Sequence, residues 1–211
     1  MLKLHWLKID TRSKPCPDAF CKAIRFATRK NMKLLLHTCC APCLIYPAEK
    51  LKDEGFQVTG FFYNPNIYPV EEYEKRKAAV TGFSGAISCG VIYPDYEPTQ
   101  FLEAIGDKKE SPARCRMCWK LRLKKTAAFA CANAFDYFST TLLVSPYQDQ
   151  NILKELGEEA ARQEGINFYF EDFRPGFRQA HNDARAKGIY CQKYCGCVYS
   201  QREQCKKSAK V

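Results

Sequence analysis

A chain of 211 residues that is 46% hydrophobic can build one buried core, so its 13 cysteines are not read as the staples of a small disulfide scaffold. No stretch approaches the roughly 20 apolar residues of a membrane span. The N-terminal segment, interrupted by Asp10 and several basic residues, lacks the apolar run and cleavage site of a signal peptide, so a soluble, cytoplasmic protein with reduced thiols is expected. Thirty-three Lys and Arg against 23 Asp and Glu leave a formal charge of +10, which suits a polyanion such as RNA without identifying one.

Short apolar runs alternate with amphipathic ones along the chain, the pattern of βαβ units. Strands are expected at Lys33–His37, Val58–Tyr63, Ile87–Ile92, Asp136–Val144 and Ile166–Phe170. Helices are expected at roughly Tyr46–Glu54, Val70–Val80, Thr99–Ile105, Arg114–Ala132, Ile152–Glu164 and Phe177–Lys187, three of them stopped by Gly55, Gly165 and Gly188. The fold class is therefore α/β: a single domain with an open, mostly parallel, Rossmann-like sheet of about five strands flanked by helices. The α/β domain is placed at 32–205, with an extension or misassigned start at 1–31 and a basic tail at 206–211. Met32 stands directly before the first strand and would be a natural initiator.

The polar motifs fall after strands: Cys39–Cys43 after the first, Asn64-Pro65-Asn66 after the second, Ser145–Asp149 after the fourth and Glu171–Arg174 after the fifth. In an open α/β sheet the carboxyl rim is where ligands bind, so a site, metal-bearing if the thiols gather there, is expected on it.

Three thiol clusters carry the chemistry. The run His37-Thr38-Cys39-Cys40-Ala41-Pro42-Cys43 places three thiols within five residues. Cys115-Arg116-Met117-Cys118 opens a long helix, whose unpaired N–H groups and dipole favour thiolate over thiol. With Cys39 and Cys40 this pair supplies four thiolates, a number that suits tetrahedral zinc or an iron-sulfur cube. The adjacency of Cys39 and Cys40 favours the larger cluster, because neighbouring side chains diverge. Cys195-Gly196-Cys197 is open to a metal, a disulfide or a purely structural role, while Cys89, Cys131, Cys191 and Cys205 are read as core or surface residues. The densest basic stretch, Arg114, Arg116, Lys120, Arg122, Lys124 and Lys125, surrounds the second thiol pair, with Arg202, Lys206 and Lys207 near the third.

Several motifs occur in one order: the Leu34–Cys43 run, Tyr63–Ile67 with Glu72, Tyr73 and Arg76, Arg114-Cys115-x-x-Cys118 with Arg122, Thr140-Thr141-Leu142 with Ser145–Gln148, Asp172-Phe173-Arg174, and Tyr194–Ser200. Together they resemble an epoxyqueuosine reductase of the QueH type over nearly the whole chain. The resemblance implies an oxidoreductase, independent of cobalamin, that removes the epoxide oxygen from epoxyqueuosine at the wobble position of tRNA, the last step of queuosine biosynthesis. It also implies a 4Fe-4S cluster on Cys39, Cys40, Cys115 and Cys118, a redox-active pair at Cys195 and Cys197, and a second iron or other metal with Cys43 and Asp172 as candidate ligands. Two departures stand out: residues 1–31, with Cys16 and Cys21, precede the pattern, and Cys191 occupies a position where the family suggests arginine.

Converting the epoxide to an alkene and water takes two electrons and two protons, which only thiols among ordinary side chains, or a metal centre fed by an electron donor, can supply. Asp172, Tyr194 or a water is the expected proton source. The basic helix would hold anticodon-arm phosphates, with Tyr63, Tyr68 or Trp119 available to stack on an extruded base. Two rivals remain open: an iron-sulfur-dependent tRNA sulfur-transferase, disfavoured because the place of a Gly-rich phosphate loop is taken by Cys-Cys-Ala-Pro-Cys, and a non-catalytic, zinc-bearing RNA-binding module.

Overall fold

The computed structural model describes residues 30–208, so Cys16, Cys21, almost all of the 1–31 segment and the last three residues of the tail lie outside it. Strands run in the order β3-β2-β1-β4-β5 with every pairing parallel: β1 Lys33–His37, β2 Gln57–Phe61, β3 Val91–Ile92, β4 Tyr137–Thr140 and β5 Asn167–Phe168. Among the described residues seven helices connect and follow them: α1 Ala41–Asp53, α2 Val70–Ala86, α3 Pro98–Ile105, α4 Ala113–Ala132, α5 Gln150–Glu164, α6 Phe177–Ala186 and α7 Val198–Ser208. None is long and apolar enough to cross a membrane.

β1 explains the layering. Successive strand residues point to opposite faces, yet Leu34, Leu35 and Leu36 are each 0% exposed, so both faces need cover. One side is supplied by α1, packed on α2 and α6, and the other by α4, packed on α3 and α5. Strand order reverses between β1 and β4, and there the loops leaving the two strands diverge and open a crevice.

Several boundaries differ from expectation for identifiable reasons. Helix α1 begins at Ala41, not Tyr46, because Pro42 sits in its first turn, where a missing N–H costs nothing, and Pro47 is accommodated inside. The fourth strand ends at Thr140, whose hydroxyl accepts from the Leu142 backbone and turns Thr141–Val144 into a buried 3-10 turn. The third strand shrinks to two residues because α2 runs on to Ala86. Helix α7, read from sequence only as the domain's end and tail, runs through Cys205 to Ser208, its polar run Gln201-Arg202-Glu203 carrying no apolar periodicity.

Candidate functional site

The rim of the sheet opens into a cleft of about 730 Å³ whose wall includes Cys39, Cys43, Cys115, Thr141, Tyr147 and Cys195. A second groove, about 770 Å³ between α2 and the Lys187–Tyr190 turn, contains no thiol and lies apart from this chemistry. Cys40 is the residue before α1 and Cys43 lies in its first turn, so the thiols take the place a phosphate would occupy at a helix N-terminus. The Sγ atoms of Cys39, Cys40 and Cys43 all lie within 4.8 Å of one another. Cys39 is fixed twice by Thr141: its N–H donates to Oγ1 at 3.1 Å and its sulfur accepts from that hydroxyl at 3.4 Å. Hydrogen bonds from the Cys40 and Cys43 thiols hold the Cys39 pKa well below the usual cysteine value, and the Thr141 hydroxyl adds to the effect; Cys40 and Cys43 are pushed up. His37 beneath them is fully buried between Thr140 Oγ1 and the Tyr63 carbonyl, and desolvation, then Arg122, lowers its pKa to about 3, leaving it a neutral strut.

The second pair sits as expected in the opening turns of α4. Cys115 reaches the cleft wall, whereas Cys118 is buried in a small cluster with Phe101, Ile105 and Cys197, where desolvation raises its pKa to about 12. Burial thus brings a member of the second pair against one of the third. Cys197 directly precedes α7, and its sulfur accepts from the Ser200 N–H at 3.4 Å. Every cysteine among the described residues is a free thiol, so the Cys195–Cys197 disulfide is not formed here.

Three buried arginines surround these thiols, which the charge pattern alone did not reveal. Arg122 is 2% exposed, makes one hydrogen bond of 3.3 Å to Asn64, and leaves Nε and Nη2 without a partner. Burial opposes its charge, and Cys118, Cys195 and Cys39 outweigh that, raising its pKa above the usual arginine value. A buried guanidinium with orphaned donors needs a nearby anion, so the site fits a thiolate-held, net-negative group. Arg114 is paired with Glu203 of α7 and lies 5.3 Å over the Tyr199 ring. Arg76 ties down the strap that carries the third pair: it donates to the carbonyls of Tyr194 at 2.9 Å and Cys195 at 3.0 Å and to Glu72 at 2.7 Å. Glu72 in turn accepts from the Tyr190 hydroxyl at 2.6 Å, and the Tyr68 N–H donates to the Gly196 carbonyl at 2.8 Å. Gly196 has φ of +136°, and a Cβ there would meet Asn66 Nδ2 at 3.1 Å, so only glycine makes this turn without strain. The strap lays Gln192 Nε2 against Cys40 Sγ at 2.9 Å and leaves Gln192 Oε1 buried without a donor.

The basic helix is not the open phosphate-binding face that its sequence suggested. Arg114 and Arg122 are buried toward the thiols, and Arg116 and Lys120 pair with Glu155 and Glu159 of α5, which leaves Lys124 and Lys125 exposed. Asp172 does not enter the cleft wall. It pairs with Arg174 at 2.7 Å on the surface, and hydrogen bonds from Arg174 lower its pKa. Cys43 consequently gathers with Cys39 and Cys40, not with Asp172. Tyr194 does line the cleft, but its hydroxyl donates to the Tyr68 carbonyl.

The sequence model of the family described as "Epoxyqueuosine reductase QueH" matches residues 34–203. The chain belongs to that family. It is 37% identical over 186 residues to the epoxyqueuosine reductase QueH of Thermotoga maritima, covering 84% of this chain and 95% of the relative. The enzyme of the same name from Dehalococcoides mccartyi is 34% identical over 173 residues, covering 82% and 94%. A crystal structure from Methanocaldococcus jannaschii, titled as a predicted subunit of tRNA methyltransferase, shares the fold at a TM-score of 0.50 and 12% identity, covering 73% of this chain and 74% of that one. The matched residues of this QueH family member span all three thiol clusters and the three buried arginines.

Proposed function

We propose that the protein reduces epoxyqueuosine to queuosine in tRNA, without cobalamin, as the last step of queuosine biosynthesis. The observation that carries the reading is the gathering of thiols and unpaired Arg122 donors at one switch-point cleft in a member of the QueH family. Cys39, Cys40, Cys115 and Cys118 would hold a 4Fe-4S cluster, and Cys43, beside Cys39 and Cys40, is the protein ligand available to a second metal. When bound, such a group supplies single electrons and Lewis acidity. Arg122 and Arg76 offset its negative charge, Thr141 orients Cys39, and the Arg76-held strap keeps Cys195 at the cleft.

The stoichiometry suits the third pair. Two C–O bonds break, one C=C bond forms and the oxygen leaves as water, consuming two electrons and two protons. Oxidation of the Cys195 and Cys197 thiols to a disulfide releases two electrons and two protons, and an external electron donor would then restore the dithiol. With Asp172 ion-paired and the Tyr194 hydroxyl engaged, these thiols or a water are the remaining proton sources. A dithiol that must be re-reduced after each turnover suits a reducing, cytoplasmic setting.

The test is conversion of epoxyqueuosine-containing tRNA by anaerobic protein supplied with dithionite, followed by nucleoside mass analysis. A product one oxygen atom lighter, co-eluting with queuosine, is expected. Unchanged nucleoside from protein carrying its full iron and sulfide would overturn the assignment.

A further inference from the structure

Tyr147 is 83% exposed, the highest value among the large apolar side chains that the described residues leave open to solvent. Its position is nevertheless fixed. Its N–H donates to Ser145 Oγ at 3.3 Å, Gln150 Nε2 donates to the Ser145 carbonyl at 3.3 Å, and Asp149 caps α5 two residues on. The ring stands edge-to-face on Phe177 at 6.0 Å and 85°, and Phe177 is itself backed by His181 at 4.4 Å. Propped on one side, the ring is bare elsewhere, and it lines the same cleft as Cys39, Cys43, Cys115 and Cys195.

Leaving an aromatic ring in water gains nothing for folding, since its apolar surface stays unburied. A flat ligand that stacks on it explains the arrangement. Single-stranded nucleotides are recognised in this way, by aromatic side chains that take an unstacked base. The aromatics singled out from the sequence serve less well: Tyr63 is 2% exposed, Trp119 is 6% exposed, and Tyr68, 52% exposed, lies off the cleft wall.

We infer that Tyr147, seated on Phe177, is the stacking platform for the purine-type base at the tRNA position on which the enzyme acts. This rests on the proposed reaction for its choice of RNA, of base and of position. The probe is a synthetic anticodon stem-loop RNA with 2-aminopurine at the wobble position, titrated with the full chain. Stacking quenches that fluorophore, so the saturated Tyr147→Ala complex should be brighter than the wild-type complex. Its affinity should fall roughly 5- to 150-fold, the range for loss of one base–aromatic stack. Tyr147→Phe should retain both quenching and affinity. Equal brightness and affinity in Tyr147→Ala, or loss of both in Tyr147→Phe, would overturn the platform. Turnover of epoxyqueuosine-tRNA by wild-type protein is read separately, so a failed reaction with Tyr147-dependent quenching refutes the activity and leaves the platform standing.

Discussion

Arg76 and Arg116 carry the same charge, and burial separates what each does. Arg76, 1% exposed, satisfies Glu72 and two strap carbonyls, so removing it strands several buried polar groups. Arg76→Met is expected to cost about 3–5 kcal/mol, the range for breaking a buried ion pair, and to speed labelling of Cys195 by a thiol reagent as the strap comes loose. Arg116→Ala breaks a pair whose side chains are 41% and 59% exposed and should cost no more than about 1 kcal/mol. Urea denaturation of the two variants checks the contrast; equal losses would show that the Arg76 contacts contribute little. The cysteines could be singled out at this scale because spacing is a property of sequence. Arg76, Arg114 and Arg122 stood in the sequence motifs too, but their burial could not be read, because the run from Arg114 to Lys125 gives charge and not burial. Only packing shows that Arg114 and Arg122 face thiols while Arg116 and Lys120 face α5. The Asp172 pairing was hidden for a related reason: its neighbour Arg174, two residues on, satisfies it locally.

Elements place the site by their ends. The sheet and six of the seven helices were legible as alternating apolar and amphipathic runs, with the left-handed Gly165 ending α5 where the sequence put it, while Asp149 caps a start at Gln150, two residues before the expected Ile152. The first turn of α1 was hidden by its prolines and the end of β4 by the apolar Leu142-Leu143-Val144 that follows it, and these are the ends that bring Cys43 and Thr141 to Cys39. The α5 contact with β5 is tight: a Cβ on Gly157 would lie 2.3 Å from the Phe168 ring. Overpacking of about 1–3 kcal/mol should outweigh the ~1 kcal/mol that alanine gains over glycine in a helix. Gly157→Ala is therefore expected to lower Tm by a few degrees while leaving the thiols untouched; a raised Tm would mean that α5 can shift away from the sheet.

Across the whole molecule the count of 33 Lys and Arg overstates the cations available to RNA, since Arg76, Arg114 and Arg122 are buried and several surface cations are already paired. Cations paired with carboxylates displace fewer counterions from a nucleic acid. The salt dependence of tRNA binding should fall more in Lys124→Gln/Lys125→Gln than in Arg116→Gln/Lys120→Gln, and the reverse order would place the RNA along the α4–α5 seam. Strand order was the global feature least visible in sequence, because periodicity says nothing of which strands pair. The reversal between β1 and β4 nevertheless determines that the first thiol run and Thr141 meet. The most direct test of a single thiol-held redox centre is iron and sulfide analysis of anaerobically purified wild type, Cys115→Ser and Cys197→Ser, with tRNA turnover measured on the same samples. The account predicts iron and sulfide in wild type and Cys197→Ser, neither in Cys115→Ser, and impaired turnover in both variants. Full iron and sulfide in Cys115→Ser, or their loss in Cys197→Ser, would contradict it.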